Sequence, residues 1–378
     1  LNSRNPSVEF VDSPHALHAL CELLGTQTSV AVDTEADSLY SYFEKLCLAQ
    51  FSTREADYIV DPLALSLEPL ASFFADARIE KVFHAAEYDI LCLKREYHFT
   101  FANIFDTMVA ARILGWKQVG LGTILHERFG VTLNKKMQRA DWGRRPLSAE
   151  QLEYARRDTH YLLALRDLQK AELEQRGYWE EAREEFERLT RVEPMPRRFD
   201  PDAYWNIKGA RDLDAQRLGA LRELFRWRNE QARREDRPPF KVLSDAQLLQ
   251  LAQELPSSPT ALARLGVAEV ALRRYSHALL AAIARGATAA HLARPRPRTR
   301  PEELMDYAAR ARLNKLKAWR KQRAQARGVE NDVIVSNEVL YNIARENPRT
   351  LEALAQVTHL GPWKLQTYGE EILRVLHK

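Results

Sequence analysis

Along the first 190 residues the apolar positions follow two rhythms. Short apolar or alternating runs (SVAVDTEA, KLCLAQFST, ADYIVDP and EKVFHAA) have the period of strands, on which successive side chains face opposite sides. Between them, SPHALHALCELLG and LEPLASFFAD repeat apolar residues at helical spacing, with Gly or Pro at their edges. This alternation predicts an α/β domain with helices around a central mixed sheet. From about Glu87 onward the pattern is mostly helical. It ends in what reads as one long charged helix over LSAEQLEYARRDTHYLLALRDLQKAELEQRG.

The remainder reads as all-helical, with two breaks. VEPMPRRFDPDAY (192–204) and RPRPRTRPEE (294–303) carry the prolines of connecting segments. Around them lies an internal repeat. Trp227-Arg228 is followed by Ala232, Ser244, Leu248, Ala252, Pro256 and Leu262. Trp319-Arg320 is followed by Ala324, Ser336, Leu340, Ala344, Pro348 and Leu354, at identical offsets. Eight matched positions predict two copies of one small helical module. The expected division is a first domain over 1–192, a linker at 193–207, a first module at 208–292, a Pro/Arg linker at 293–303 and a second module at 304–378.

Composition narrows the class. With 45% hydrophobic and 29% charged residues, the 378-residue chain has an ordinary globular balance, and its length suggests two or three domains. It has no apolar run of about 18 residues. The opening LNSRNPSVEF has neither a basic nor an apolar leader pattern, and three cysteines (Cys21, Cys47, Cys92) show no C-x-x-C spacing. A cytoplasmic location is expected. Charge is unevenly spread: residues 1–190 carry 22 Lys/Arg against 30 Asp/Glu, and residues 191–378 carry 34 against 22. The second half suits a polyanion, and nucleic acid is the favoured reading.

The candidate chemistry begins at VAVDTEAD (30–37), where an apolar strand runs into carboxylates. Asp33 and Glu35 share a strand face, while Thr34 points away. Two more acids suit the same site: Asp89, in the first turns of a helix, and Asp158, four residues after Tyr154 on one helical face. Taken singly each has an ordinary alternative. Asp33 and Glu35 could pair with arginine, Asp89 could serve the helix dipole, Tyr154 could be a packed core tyrosine, and Asp37 reads as a loop residue. Jointly they supply what two-metal phosphodiester hydrolysis needs. Hard oxygen ligands hold two Mg²⁺ or Mn²⁺ ions about 3.5–4 Å apart, and a tyrosine orients the attacking water.

The order D-x-E, D, Y-x-x-x-D resembles the tyrosine-containing branch of the DEDD superfamily of 3′→5′ exonucleases. FDTMVAARILG (105–115), KKMQRADWGRRPLS (135–148) and YARRDTHYLL (154–163) are similar to blocks of the ribonuclease D and exosome-associated exonuclease families. The Trp-Arg repeats resemble the HRDC domain, and one catalytic domain followed by two such modules is the layout of ribonuclease D. HAAEYDI is nearer the exosome-type sequences. The resemblance implies a ribonuclease H-like mixed sheet followed by two all-α modules. Asp33, Glu35, Asp89 and Asp158 would then hold two divalent ions, with Tyr154 positioning water. Thr34 and His84 would lie near the terminal nucleotide, and Lys135, Lys136 and Gln138 on a lid-like segment before the last motif, near phosphate or ribose. The expected activity is 3′→5′ exoribonuclease, releasing nucleoside 5′-monophosphates from tRNA precursors and other structured RNAs, in a monomer. A DNA exonuclease and a non-catalytic nucleic-acid scaffold are the competing readings.

Basic residues in LFRWRNEQARREDR (224–237) and LNKLKAWRKQRAQARG (313–328) recur every three or four positions, interleaved with Trp227 and Trp319. The tryptophans are expected to anchor each module's core. Phosphate contacts are expected from Arg226, Arg228, Arg233, Arg234, Lys317, Arg320, Lys321 and Arg323.

Overall fold

The structure, a computed structural model, describes residues 8–288, 305–358 and 360–377. It divides into two compact units. The first comprises Leu1–Glu35, Leu46–Pro194 and Thr299–Lys378, and the second comprises Ala36–Lys45 and Met195–Arg298.

The first unit is built on a six-stranded sheet of order β1-β4-β3-β2-β5-β6. The strands are β1 (Val8–Val11), β2 (Ser29–Ala36), β3 (Leu46–Ser52), β4 (Asp57–Val60), β5 (Glu80–Phe83) and β6 (Ile104–Asp106). β3 pairs with β4 antiparallel, in the register Ala49↔Val60 to Ser52↔Asp57. β1 runs parallel to β4, and β5 parallel to both β2 and β6. The sheet is mixed, as expected. β1 and β6, only four and three residues long, are additions to the strands legible in the sequence.

Helices α1 (Pro14–Gly25), α2 (Ala71–Ala75), α3 (Glu87–Tyr97), α4 (Thr107–Ile113), α5 (Leu121–Phe129), α6 (Ala149–His160), α7 (Leu162–Gln175) and α8 (Trp179–Thr190) surround it. The long helix expected at 147–177 is interrupted at Tyr161, which separates α6 from α7. Tertiary contacts hold that joint. Thr159 Oγ1 lies 2.7 Å from Ser52 Oγ, and His160 Nδ1 lies 2.9 Å from Asp57 on the sheet.

The second unit contains α9 (Ala215–Arg234), α10 (Pro239–Val242), α11 (Asp245–Glu254), α12 (Pro259–Arg264) and α13 (Glu269–Thr288). A Cβ at Gly286 of α13 would fall 2.2 Å from the Gly219 carbonyl of α9, so this helix pair approaches closely only because Gly286 has no side chain. Residues 193–207 do not behave as a free linker throughout, since Tyr204, Trp205 and Ile207 are buried in this unit's core. Nor is Asp37 an exposed loop residue: 5% exposed, it accepts the Ser41 hydroxyl and the Lys45 N–H and closes its own loop.

The second helical copy belongs to the first unit: α14 (Tyr307–Arg327), α15 (Asn331–Ile334), α16 (Asn337–Glu346), α17 (Leu351–Thr358) and α18 (Pro362–His377). The repeat positions have matched jobs. Leu248, Leu262, Leu340 and Leu354 are fully buried, and Ser244 and Ser336 cap α11 and α16. This copy is fixed to α4 and α8. Arg327, over the Tyr178 ring, bonds Glu181 at 2.9 Å and the Tyr368 hydroxyl at 3.1 Å, while Lys364 pairs with Glu185. A Cβ at Gly361 would fall 1.9 Å from Glu184 Cδ, so the contact leaves no room for a side chain there. Glu181 is fully buried.

Candidate active site

The site forms where parallel strands end, the usual binding edge of an α/β sheet. β2 delivers Asp33 and Glu35, α6 delivers Asp158, and one carboxylate oxygen from each lies within 4.8 Å of the others. Asp89 comes from the first turn of α3 and accepts the hydroxyl of Thr34, which links it to the strand between the other two acids. Tyr154, one turn before Asp158, donates its phenol to that carboxylate. Asp89 and Asp158 are buried, and Asp33 and Glu35 are half-buried. Among the described residues none of the four acids has an ion-pair partner.

Charge is therefore concentrated without relief. Burial, then Asp89, Asp158 and Glu35, holds Asp33 well above the usual carboxylate range. Burial, then Asp158 and Asp89, pushes Glu35 to about 9. Burial raises Asp89 to about 7 against the opposing pull of Thr34, and raises Asp158 to about 7 against the Tyr154 bond. The Tyr154 phenol is raised by burial and by Asp158, Glu35 and Asp33, so it is a neutral donor at any ordinary pH. Clustered hard oxygen donors lacking a basic side chain fit a divalent cation.

The helices carrying these groups are anchored from behind. Arg156, 5% exposed, reaches Asp57 at 3.2 Å and Glu153 at 2.8 Å. Asp57 also takes the Ser52 hydroxyl at 2.6 Å. At its other end α6 opens with a capping box between Ser148 and Gln151. The preceding segment is pinned by Arg145, bidentate to Asp61 at 2.6 and 2.7 Å, and by buried Trp142, whose ring lies 5.9 Å from that of Tyr154. Beside Tyr154 a cleft of about 380 Å³ is lined by Leu133, Asn134, Ala149, Glu150, Glu153 and Arg157.

Similarity to known proteins follows the same regions. Residues 8–174 match the family model for a 3′-5′ exonuclease, and residues 217–283 and 309–376 match the HRDC domain. Ribonuclease D of Granulibacter bethesdensis is 31% identical over 379 residues, covering 98% of this chain and 93% of that one. The chain belongs to the ribonuclease D family. Exosome complex component 10 of Rattus norvegicus is 39% identical over 251 residues, 63% of this chain. The chain spans only 28% of that longer relative's length. The crystal structure of the catalytic core of RRP6 from Trypanosoma brucei superposes with a TM-score of 0.71 at 32% identity, covering 77% of this chain and 82% of that one.

Within this ribonuclease D-family site, the other expected residues divide. Thr34 lies at the centre, but its hydroxyl orients Asp89. His84 is half-buried, its Nδ1 2.9 Å from Thr107 Oγ1, and its ring also bonds the Val119 backbone, so it ties loops together. Lys136 and Gln138 are exposed on a short 3-10 turn, and the side chain of Lys135 lies outside the described residues. In the modules, Arg228 and Arg320 correct the expectation of phosphate contacts. They are 5% and 8% exposed and donate to the carbonyls of Leu243 and Val335 and to Asp245 and Asn337, a matched internal brace. Arg323 pairs with Glu371 at 2.7 Å, and Lys317 lies 5.6 Å over the Tyr341 ring. Arg226 is half-buried, 3.6 Å from Glu223. Arg233, Arg234 and Lys321 are exposed.

Sequence reading missed Asp106. This 1%-exposed carboxylate ends β6 and accepts four backbone N–H groups: Met108 and Val109 at 2.8 and 3.1 Å, and Ala85 and Ala86 at 3.1 and 2.8 Å. Ala85 has a φ of 65°, a left-handed conformation unfavourable for alanine, and α3 with Asp89 starts two residues later. An Asp directly before a helical run was a legible N-cap signal; its second pair of donors was not. Asp106→Asn turns an amide toward N–H groups and costs about 2 kcal/mol of stability. Because Asp89 loses its aim, kcat falls at least about tenfold with KM nearly unchanged. Thermal unfolding and steady-state kinetics check both effects.

Proposed function

We propose that the chain is a 3′→5′ exoribonuclease that removes nucleoside 5′-monophosphates from structured RNAs with single-stranded 3′ ends, tRNA precursors among them. The observation that carries this reading is the convergence of Asp33, Glu35 and Asp158, with no paired base among the described residues, beside Asp89 and the Tyr154 phenol. Two divalent ions held by these four carboxylates would supply charge neutralisation at the phosphate and a more acidic water. The chain's own groups do the positioning. Thr34 fixes the oxygen of Asp89, Asp158 orients the Tyr154 phenol, and that phenol can direct the attacking water. The similarity to named ribonucleases supports RNA as the substrate.

Time-resolved digestion of a 5′-labelled RNA hairpin with a 3′ tail, beside the matching DNA, tests the reading. A ladder shrinking from the 3′ end of RNA in Mg²⁺ or Mn²⁺, absent in EDTA and slow on DNA, is expected. Faster loss of DNA would transfer the activity to DNA. Binding without digestion in either metal would leave a nucleic-acid scaffold.

A further inference from the structure

Strand β3 is buried along all seven of its residues, and only Gln50 and Ser52 bring oxygen-bearing side chains into that core. Ser52 is accounted for, between Asp57 and Thr159. Gln50 is not accounted for in this way. Its side chain is fully buried, yet neither Nε2 nor Oε1 has a hydrogen-bond partner among the described residues. A carboxamide can donate and accept several hydrogen bonds, and a buried one that makes none with protein points to another group that it serves.

The fold places this amide beside the acids. Side chains alternate along β3, so Leu48, Gln50 and Ser52 share a face, while Ala49 and Phe51 enter the core on the other side. The shared face looks toward α6. Leu48, and Ile59 opposite Gln50 on β4, belong to one cluster with Ala155 and Trp142, and Ser52 meets Thr159. The turn of α6 between Ala155 and Thr159 therefore passes over Gln50, and Asp158 belongs to that turn. β2 adjoins β3 in the sheet and turns Asp33 and Glu35 to the same face, where they gather with Asp158. Asp57, also on this face, is already taken by Ser52 and Arg156. The indole Nε1 of buried Trp142 is a second polar group there without a partner among the described residues.

We propose that Gln50 is a positioning residue of the metal centre, its amide reaching the carboxylates of Asp33 and Asp158 through an ordered water. A buried water takes roughly three polar partners, and the amide, the two acids and the Trp142 Nε1–H supply them. The bridge lets Gln50 donate to the acids without a charge that would compete with the cations, as a lysine or arginine in its place would. It holds the carboxylate oxygens in the orientation that receives an ion, and groups behind metal ligands govern affinity in this way. The inference rests on the two-ion reading of the acids.

The test is isothermal titration calorimetry of the full chain with Mn²⁺, in the absence of RNA. Gln50→Met, close to glutamine in length and volume, is expected to raise the Mn²⁺ Kd about tenfold or more. In EDTA its thermal midpoint matches or exceeds that of wild type, because the amide it replaces has no protein partner to lose. Gln50→Leu gives a second apolar variant with the same expected outcome, and circular dichroism verifies that both are folded. In steady-state digestion of a 3′-tailed RNA, half-maximal rate then needs about tenfold more Mn²⁺, while KM for the RNA at saturating metal is unchanged. An unchanged Mn²⁺ Kd in both variants overturns the proposal. So does a midpoint that falls in EDTA, which would make Gln50 a packing residue alone. A wild type that binds no Mn²⁺ would sink the two-ion reading together with this inference. A wild type that binds Mn²⁺ and digests RNA, beside variants of unaltered Kd, would sink this inference and leave the activity standing.

Discussion

Asp33→Asn is expected to lower kcat by about 10³-fold or more and, in the same molecule, to raise the thermal midpoint of the metal-free protein. Both effects have one cause. Asp33 sits among Asp89, Asp158 and Glu35 with no basic partner among the described residues, so its charge is unfavourable in the folded protein until a cation arrives. The sign of the pH dependence follows. All four acids release their protons at higher pH folded than unfolded, where the ordinary values are 3.8 for Asp and 4.5 for Glu. Between those values and about 7 for Asp89 and Asp158, or about 9 for Glu35, the native state holds the extra protons. Their contribution is full below pH 4 and is lost as pH rises, so metal-free stability declines from mild acid to pH 9. Mg²⁺ should flatten that decline in wild type, and Asp33→Asn should make it shallower even in EDTA. Thermal unfolding at pH 5–9, with Mg²⁺ or EDTA, measures all of this. A metal-free midpoint indifferent to both Mg²⁺ and the substitution would refute the account.

Arg327→Ala is expected to cost about 3–5 kcal/mol of stability, the usual penalty for removing one member of a buried ion pair. Its partner Glu181 is fully buried, and one of its oxygens has no hydrogen-bond partner among the described residues. Burial outweighs the arginine and raises Glu181 above the ordinary glutamate value even in the intact pair. Without Arg327 the carboxylate shifts further and takes up a proton, so the penalty should shrink as pH approaches 5. Arg327→Met combined with Glu181→Leu should recover most of the loss, because an apolar pair of similar volume needs no desolvation. Denaturant unfolding of the double-mutant cycle gives the coupling directly. Loss of equal size at pH 5 and pH 8 would contradict this view of Glu181.

What could be read from the chain beforehand depended on how local the determining contact was. β2 announced itself because a buried strand with period two must place Asp33 and Glu35 together. The repeat was legible because Leu248 and Leu340, or Ser244 and Ser336, serve the same structural purpose in each copy. The break at Tyr161 was not, since the groups that hold it, Ser52 and Asp57, lie on the sheet about 100 residues earlier. The bond that fixes Asp89 was hidden for the same reason, since nothing local indicates that the Thr34 hydroxyl reaches a carboxylate 55 residues away. Arg228 and Arg320 joined the basic stripe on helical spacing alone. Their guanidiniums turn inward because loop carbonyls at Leu243 and Val335 await a donor.

The loop Ala36–Lys45 leaves the carboxylate strand, yet it belongs to the compact unit of the first helical copy, while the second copy belongs with the sheet. Physical bodies and stretches of sequence therefore do not coincide. No single cut yields a minimal nuclease: ending the chain before residue 299 uncovers Glu181 and the seat of Val333, and excising 195–298 strips the loop of the core that Tyr42 packs against. Limited proteolysis should accordingly release no autonomous catalytic fragment, and trimming this chain for use as a tool means redesigning two surfaces.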